Sequence, residues 1–420
     1  MAAKEERLIL IVGAGVTGLT LACVLRKHGA SVRLVDKLSE IRPYARAVGI
    51  HSRTLEVLHD LDLIEAFLES GKKTVAFEQY AGGQRIQEVR YDEIDAVYPF
   101  MLHIEQWKTE GLLEKRLGEL GCTVERETEL IATEERLDGV RTTLRSADGS
   151  TDVVDVPWLI GCDGAHSTVR HLNHQRFPGE ADPRTYMIAD VTTDPPIARD
   201  AVCTFLSAAG ALFCGPLPNN RTLIFGNVGD ASEPDPGPPT LKDIQELVDA
   251  RYPKPVAVGD PHWINYFRVN YRLTSHYRHG RTFLAGDAAH IHSSVGGQGM
   301  NTGMQDAYNL GWKLALVSQG RAPEALLDSY EKERRAVAED VLALTKSLAE
   351  RAYTYAGMSV EDRDRYYYHA HVPEAERIGK LRRMAELDLD YRKSPICVEH
   401  VRKHGGSEDG GPHAGAVARL

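Results

Sequence analysis

The amino-acid sequence predicts an α/β protein with three parts: a parallel-sheet domain, an inserted β-sheet layer and a helical C-terminal region. Three observations support this division. The chain opens on a strand–turn–helix–strand unit, two later strands end in paired aspartate and glycine, and a charge-rich helical pattern runs from Pro323 to about Leu389. A hydrophobic period that alternates between strand and helix is typical of α/β folds.

The N-terminal unit lies within LILIVGAGVTGLTLACVLRKHGASVRLVDK. Leu8–Val12 is an apolar strand run, a helical pattern spans about Leu19 to His28, and Ser31–Val35 is a second strand. Three glycines in GxGxxG spacing and one acidic residue complete the unit: Gly13, Gly15, Gly18 and Asp36. The first glycine permits a tight turn, the second lets a pyrophosphate approach, and the third allows close helix–strand packing. The helix N-terminus attracts phosphate, and the acid can accept hydrogen bonds from ribose hydroxyls.

This unit predicts a Rossmann-like dinucleotide-binding domain. A bare glycine turn in an unrelated α/β protein is the alternative, but the complete strand–turn–helix–strand context favours dinucleotide binding. An acidic residue at the end of the second strand favours FAD or NAD over NADP. The unit does not choose between FAD and NAD.

Composition excludes several classes of function. The 420-residue chain is 42% hydrophobic and 26% charged, which is ordinary for a globular protein of two or three domains. A net charge of -10 without a basic run disfavours nucleic-acid binding. Six cysteines without a CxxC pair suggest neither disulfides nor zinc. No apolar run reaches membrane-spanning length, and MAAKEER lacks a signal-peptide core, so we expect a cytoplasmic protein without membrane contact.

Two later stretches choose between the dinucleotides. WLIGCDGAHSTVR (Trp158–Arg170) is a short strand followed by Asp163-Gly164, and RTFLAGDAAH (Arg281–His290) is a strand that ends in Gly286-Asp287. Together with the N-terminal unit they resemble the three signatures of class A FAD-dependent aromatic hydroxylases. ARAVGIHSRTLEVL and GGQGMNTGMQDAYNLGWKLA are similar to the phenol-hydroxylase-like branch of the p-hydroxybenzoate hydroxylase family. The resemblance extends from Leu8 to about Cys397.

The resemblance implies a p-hydroxybenzoate hydroxylase-type fold and an FAD site. In the family the strand-end aspartate binds the ribitol of FAD, a role that falls to Asp287, and Gly286 keeps the backbone clear of the cofactor. A glycine loop at 296–299, with Gly297 and Gly299, would lie against the isoalloxazine. The amides of Met300 and Asn301, at the start of the next helix, would stabilise the anion of the reduced flavin. A glycine-rich turn that merely caps an amphipathic helix is the alternative.

Three further residues take family roles with open alternatives. Arg46 is placed over the FAD pyrophosphate, although a solvated surface arginine fits equally. Gln106 is expected to touch FAD near the ribose. Asp163 takes the dual FAD and NAD(P)H role, and a helix N-cap is its other interpretation.

The remaining site residues are less specified. Phe205, Leu212 and Cys214 are candidates for one wall of a substrate pocket, and ordinary core packing accounts for them as well. Ser294 stands where relatives usually carry proline, so the loop beside the flavin is expected to be freer. His290, His292 and the HAH at 369–371 have no third ligand at sensible spacing, so we predict no metal site and interpret them as loop residues.

The predicted FAD-binding domain is discontinuous and comprises residues 1–72, 101–176 and 272–320. Residues 73–100 and 177–271 form the substrate-binding β-sheet layer, and 321–400 form the C-terminal helical region. Residues 401–420 are expected to be a mobile tail. Relatives in this branch often continue into a thioredoxin-like domain, and this sequence stops about where that domain would begin. The sequence does not decide between a naturally short form and a truncation.

The implied reaction is hydroxylation of an electron-rich aromatic, phenolic or polyketide-like, with NADPH or NADH and O2, through a flavin C4a-hydroperoxide. The catalytic base is not identified by the sequence, and a homodimer is left open. An epoxidase, a halogenase-like enzyme and a non-catalytic flavin-binding partner are the alternatives. The four tryptophans never stand two apart, which counts against the halogenase WxWxIP motif. An NAD-dependent dehydrogenase gives no reason for Asp287 and its glycine loop.

Overall fold

The computed structural model describes residues 8–43, 47–230, 237–354, 358, 362 and 374–397. Its strands are β1 (Ile9–Val12), β2 (Val32–Val35), β3 (Gly49–Ile50), β4 (Lys72–Thr74), β5 (Ala76–Ala81), β6 (Gln84–Arg90), β7 (Met101–His103), β8 (Val124–Glu125), β9 (Thr128–Glu135), β10 (Val140–Ser146), β11 (Thr151–Val156), β12 (Trp158–Gly161), β13 (Gly179–Asp194), β14 (Ala201–Ser207), β15 (Gly210–Leu217), β16 (Arg221–Asp230), β17 (Ala257–Leu273), β18 (Arg278–His279), β19 (Thr282–Leu284) and β20 (His290–Ile291). The α-helices are α1 (Val16–Lys27), α2 (Ser52–Asp60), α3 (Ile64–Ser70), α4 (Gln106–Glu119), α5 (Thr168–Leu172), α6 (Leu241–Asp249), α7 (Gln298–Ser318), α8 (Asp328–Thr354) and α9 (Glu374–Met384).

The first layer is a six-stranded sheet with the order β18-β19-β12-β1-β2-β8. All neighbours are parallel except the edge pair β18 and β19. Helices α1 and α7 pack together beside it, and α4 packs on α1. The strands β1, β12 and β19 are buried along their whole length, as is typical of a parallel sheet covered on both faces.

Helix α1 begins three residues earlier than the sequence pattern predicts, at Val16 instead of about Leu19. Gly15 is its N-cap, so the helix starts directly inside the glycine turn. It ends before Gly29, whose φ of +77° places it in the left-handed region that favours glycine.

The second layer is an eight-stranded sheet with the order β20-β17-β13-β16-β15-β14-β5-β6. Two distant stretches of chain build it, because β5 from the first stretch pairs in parallel with β14 from the second. Helix α6 covers one face, where Ile244 and Leu247 join the core. The other face meets Val48 and Val295, which belong to the loops around the first sheet. Helix α8 packs on this face as well. A ligand cleft is expected on this side, between the second sheet and the loops of the first sheet.

Helix α8 packs on α7 and against the eight-stranded sheet. The C-terminal end of α9 contacts the start of α7, where the Gln298 side chain donates to the carbonyl of Met384 at 2.9 Å. Smaller sheets, β3-β7-β4 and β9-β10-β11, complete the described part. The predicted tail at 401–420 lies outside the described residues. Among the helices that the structure describes, none is long and apolar enough to cross a membrane.

Candidate active site

Three predicted motifs meet at one edge of the six-stranded sheet. Strands β1, β12 and β19 run parallel in adjacent positions, and their last residues align in register: Val12 with Gly161, and Gly161 with Leu284. The glycine turn, the Asp163-Gly164 pair and the Gly286-Asp287 pair follow these strands directly. Ligands of open α/β sheets bind outside the carboxyl ends of the strands, so this edge is where a dinucleotide is expected.

The geometry of the glycine turn matches its predicted use. Gly13 has a φ of +102°, and a Cβ there would lie 2.5 Å from the carbonyl oxygen of Cys162. A Cβ on Gly18 would lie 1.9 Å from the carbonyl oxygen of Gly13, so the turn and α1 touch backbone to backbone. Gly15 differs, since its Cβ would meet only the Glu110 Oε1 atom, at 4.0 Å. The space beside Gly15, at the N-terminus of α1, is open to a ligand.

The acidic residue after β2 is bonded to this turn. Asp36 accepts the amide of Ala14 at 2.6 Å on one carboxylate oxygen and the amide of Leu38 at 2.8 Å on the other. The carboxylate is half-buried, and each oxygen keeps a second acceptor position. Asp36 is thus oriented by the turn itself while still able to accept ribose hydroxyls.

Gln106 opens α4 beside the same turn, and its side chain donates to Glu110 at 2.9 Å. Glu110 is buried, and burial raises the pKa of its carboxyl group. The sequence analysis did not identify Glu110, because a single glutamate in an amphipathic helix carries no distinguishing pattern.

Asp163 bonds the first turn of α5, but it is not the N-cap. Ser167 is the N-cap and accepts the amide of Arg170 at 3.0 Å. Asp163 instead accepts the Ser167 hydroxyl and, at 3.1 Å, the amide of Val169. Burial raises the pKa of the Asp163 carboxyl group. The N-cap interpretation of Asp163 was therefore wrong by four residues, and its role toward FAD and NAD(P)H stays a prediction.

Arg170 ties two of the motifs together. Its guanidinium donates to the carbonyl of Ala165 at 2.7 Å and to the carbonyl of Ala288 at 2.8 Å, and it lies 3.9 Å over the ring of Phe177. One buried cation thus fixes the turn after β12 relative to the turn after β19. Sequence reasoning missed this residue, because nothing local distinguishes it from a surface arginine.

The Gly286-Asp287 turn is anchored from beneath. Gly286 has a φ of +61°, and a Cβ there would lie 2.5 Å from the Thr17 Oγ1 atom, so glycine is required on both grounds. Its amide donates to Asp306 at 3.1 Å. Asp287 itself is exposed at this turn, facing away from the core. A buried support and an exposed carboxylate are what a ligand-facing turn needs.

His290 is not a loop residue, and that interpretation was wrong. It lies in β20, is 1% exposed, and its Nε2 atom is 2.6 Å from Asp306 Oδ2, the oxygen that also accepts the amide of Gly286. His292 stacks on it with ring centroids 6.4 Å apart. The HAH at 369–371 lies outside the described residues. Within the part of the chain that the structure describes, no group of three histidine, cysteine or acidic side chains is arranged to hold a metal ion.

The glycine loop before α7 is held at its backbone. Gly297 is the N-cap of α7 with a φ of +66°, and its amide donates to the carbonyl of Ser294 at 3.0 Å. The carbonyl of Gly296 accepts from His51 at 2.9 Å and from Gln298 at 3.2 Å. These contacts restrict the loop that the sequence predicted to be freer because Ser294 replaces proline. His51 and Gln298 were not predicted as site residues from the sequence, since their partners are backbone atoms.

The two residues predicted to lend amides to the flavin start α7. The Asn301 side chain spans to β3, donating to the carbonyl of Gly49 at 2.8 Å and accepting the amide of His51 at 2.9 Å. Met300 is half-buried and packs on the main core. The first amides of a helix lack intrahelical acceptors, so this end of α7 presents donors toward the cleft.

The three residues predicted to line the substrate pocket lie on the face of the second sheet that α6 covers. Phe205, Leu212 and Cys214 pack beneath α6 together with Ile244 and Leu247. Ordinary core packing, the alternative that the sequence left open, is therefore what the structure shows. Side chains alternate along a strand, so the neighbours of these residues point to the cleft instead.

The cleft side of the sheet carries a different set of side chains. They are apolar and mostly aromatic, and they cluster with Val48 or Val295: Ile188, Leu206, Phe213, Leu217, Phe225, Trp263 and Phe267. Phe213 and Phe225 stack with ring centroids 4.4 Å apart and an interplanar angle of 6°. Phe225, Trp263 and Phe267 are half-buried, so aromatic surface remains open to the cleft. This face suits a flat apolar ligand.

Arg46, the predicted pyrophosphate ligand, lies outside the described residues. Its role stays a prediction.

The comparisons with known proteins agree with this geometry. Residues 6–345 match the model of the family described as FAD binding domain, and the chain belongs to that family. It is 38% identical over 344 residues to a 6-methylpretetramide 4-monooxygenase from Streptomyces rimosus, a match covering 81% of this chain and 61% of the relative. It is 38% identical over 352 residues to a rifampicin monooxygenase from Rhodococcus hoagii, covering 83% and 72%.

Among solved structures, an anhydrotetracycline hydroxylase from Streptomyces rimosus superposes with a TM-score of 0.76 at 32% identity, covering 91% of this chain and 76% of that one. These findings confirm the predicted fold and the predicted class, an FAD-dependent aromatic monooxygenase. They favour this class over an epoxidase, a halogenase or a non-catalytic partner. The chain spans less than two thirds of the 6-methylpretetramide 4-monooxygenase.

FAD fits the residues present. Asp36 after β2, the open space beside Gly15 after β1 and the exposed Asp287 after β19 lie along one sheet edge, in the order of adenosine, diphosphate and ribitol that the family implies. The N-terminus of α7 follows Val295, which packs on the second sheet.

Proposed function

We propose that this protein uses NAD(P)H and O2 to hydroxylate a phenolic, polycyclic aromatic substrate on bound FAD. The aromatic face of the cleft carries the substrate part of this proposal. Phe225, Trp263 and Phe267 offer half-buried ring surface opposite Val48, and a fused ring system matches that extended apolar area better than a single small phenol does.

FAD, when bound, supplies electron transfer from NAD(P)H and the activation of O2. The chain's own residues do the rest. Asp36, Asp163, Asp287 and Arg46 would hold the cofactor, and Gln106 would contact it near the ribose. The Gly297 turn allows α7 to begin close to the flavin ring, where its first amides stabilise developing negative charge. The apolar sheet face excludes water from the reacting ring.

The relatives support the substrate class. The two curated relatives are named for 6-methylpretetramide and rifampicin, and the solved structure for anhydrotetracycline. These names support a substrate larger than a simple phenol, and the apolar sheet face described above agrees with such a substrate. The domain division stated from the sequence, a cytoplasmic location and a homodimer are kept as further parts of this proposal.

The experiment is a substrate screen on the purified holoprotein. Simple phenols and fused-ring phenols are compared for stimulated NADH and NADPH consumption, and products are read by mass for the gain of one oxygen. We expect fused-ring phenols to stimulate consumption and to gain one oxygen. Colourless protein that cannot be reconstituted with FAD contradicts the whole proposal, and stimulation by simple phenols alone contradicts its substrate part.

A further inference from the structure

One peptide group of the glycine loop is fixed from both sides. The amide of Gly297 donates to the carbonyl of Ser294 at 3.0 Å, and the carbonyl of Gly296 accepts from His51 at 2.9 Å and from Gln298 at 3.2 Å. Because the Gly296–Gly297 peptide directly precedes α7, its orientation sets the direction in which the helix begins. Gly296 has a φ of +88°, so the loop reaches this orientation through a conformation that other residues rarely adopt.

His51 is built into this contact. Its side chain is 0% exposed, and its ring stacks on Tyr91 with centroids 6.4 Å apart. Burial lowers the pKa of His51 to about 4, so the ring is neutral near neutral pH and carries one N–H. The Tyr91 hydroxyl lies 3.4 Å from the Nδ1 atom and can donate to it. Because the carbonyl of Gly296 can only accept, the proton belongs on Nε2, which donates to it.

The backbone of His51 also contacts the beginning of α7. Its amide donates to the Asn301 side chain at 2.9 Å, in the first turn of α7. One residue at the start of α2 thus fixes both the peptide before α7 and a side chain inside it. The mechanism above uses only the α7 amides and assigns nothing to His51.

We propose that His51 is a positioning residue: its imidazole fixes the Gly296–Gly297 peptide and so aims the α7 amides at the electron-rich edge of the reduced flavin. This proposal rests on the proposed function. It does not make His51 a catalytic residue, because the ring contacts the loop backbone and not the reacting atoms.

Three variants separate positioning from packing. His51→Leu removes the donor, and His51→Gln keeps an amide that can reach the carbonyl of Gly296. Tyr91→Phe keeps the stacked ring and removes only the hydroxyl that faces Nδ1. The matched control is His59→Gln in the same helix, since His59 is exposed and its ring pairs with Tyr98.

The main readout is the flavin midpoint potential of each purified holoprotein without aromatic substrate, measured together with FAD affinity. We expect His51→Leu to have a more negative midpoint potential. At a fixed applied potential its ratio of reduced to oxidised flavin should be lower by roughly three- to tenfold, the effect of losing one neutral hydrogen bond. His51→Gln restores most of this ratio, Tyr91→Phe shows a smaller loss, and His59→Gln matches the wild type. In turnover, His51→Leu lowers kcat and leaves the KM for the aromatic substrate within about twofold.

A wild-type potential in His51→Leu overturns the inference, and so does an equal change in His51→Gln and His51→Leu. If His51→Leu fails to fold, as judged by circular dichroism, Tyr91→Phe against the wild type decides in its place, and an unchanged potential there counts against the proposal. Failure of the proposed function looks different, because wild-type protein would then bind no FAD or consume no NAD(P)H.

Discussion

Arg334 of α8 donates to Asp306 of α7 at 2.7 Å, and both side chains are 0% exposed. The same carboxylate accepts the amide of Gly286 and pairs with His290. Burial alone would raise the pKa of Asp306, but the contacts with His290 and Arg334 hold it below its ordinary value. A helix far along the chain thus supports the turn that presents Asp287.

Removing the cation should destabilise the fold. Arg334→Met leaves a buried carboxylate without its arginine partner, and breaking such a pair costs about 3–5 kcal/mol. Urea unfolding with the linear extrapolation measures the change. The control is Arg335→Gln, whose partly exposed pair with Glu339 contributes about 0–1 kcal/mol. Equal losses in both variants would contradict a special role for the buried pair.

Glu386 should make stability depend on pH. Its side chain is buried and accepts from Gln305, and burial raises the pKa of Glu386 to about 8 against the opposing effect of Arg334. An unfolded glutamate has a pKa near 4.3. Between these values the folded state holds a proton that the unfolded state has released, so stability is complete below about pH 4 and is lost as the pH rises through 8.

The measurable effect is a fall of about 1.4 kcal/mol for each pH unit between about 5 and 8, superposed on the titration of other groups. Glu386→Gln removes this component, so its free energy of unfolding should fall less than that of the wild type between pH 6 and pH 8. Glu376→Gln, at an exposed position of α9, keeps the wild-type slope. An identical slope in all three proteins would show that Glu386 is ionised in the fold.

Some of the site could be predicted from sequence and some could not, for physical reasons. Gly13 and Gly18 could be predicted because their contacts are local. Gly18 meets the backbone of Gly13, and Gly13 meets the backbone at the end of the neighbouring strand. The partners of Asp306 come from the turn after β19, from β20 and from α8, so no local pattern reveals them. His290 was misjudged for that reason, because its partner follows sixteen positions later on another element.

The prediction of the pocket residues was wrong for a different reason. Alternation identifies the two faces of a strand, but here both faces are covered, one by α6 and the other by the cleft loops. Phe205 and Leu206 are both apolar and both buried, so their pattern does not distinguish the faces. Only the pairing of the two inserted stretches and the position of α6 decide which residue borders the cleft.

Asp287 should control flavin retention. It is exposed at a turn whose backbone is fixed by Asp306 and Arg170, so Asp287→Ala should leave the fold intact and remove an acceptor for the ribitol hydroxyls. Losing a charged hydrogen-bond partner costs about 1.5–3 kcal/mol, or roughly ten- to a hundredfold in FAD affinity. Fluorescence titration of apoprotein with FAD measures it, with Asp138→Ala at an exposed turn as the control. Unchanged affinity would exclude Asp287 from the FAD site.

The two faces of the eight-stranded sheet should separate stability from substrate binding. Phe205 packs under α6 against Tyr80 and Tyr252, with ring centroids 5.0 and 4.8 Å away. Phe205→Ala should cost about 3–5 kcal/mol of stability and leave the KM unchanged. Phe225 lies on the cleft side and is half-buried, so Phe225→Ala should raise the KM with a smaller loss of stability. The reverse pattern would place the substrate on the α6 side.

The last prediction concerns Ser294, where the sequence alone suggests a freer loop. A proline narrows the unfolded and alternative states of a loop by about 0.4–1 kcal/mol where its geometry allows. The structure shows that the loop is already fastened at the carbonyls of Ser294 and Gly296. Restricting φ at Ser294 therefore adds little, and Ser294→Pro should release hydrogen peroxide in the same ratio to NAD(P)H consumed as the wild type, within about twofold.

The comparison is made at saturating substrate and equal FAD content, with His51→Leu measured alongside. Because His51→Leu loosens the loop at the carbonyl of Gly296, its peroxide ratio should rise while that of Ser294→Pro stays constant. A marked drop in Ser294→Pro would mean that the loop opens despite these hydrogen bonds, with the serine as the cause. In that case the missing proline, and not the His51 contact, would limit the exclusion of water from the flavin.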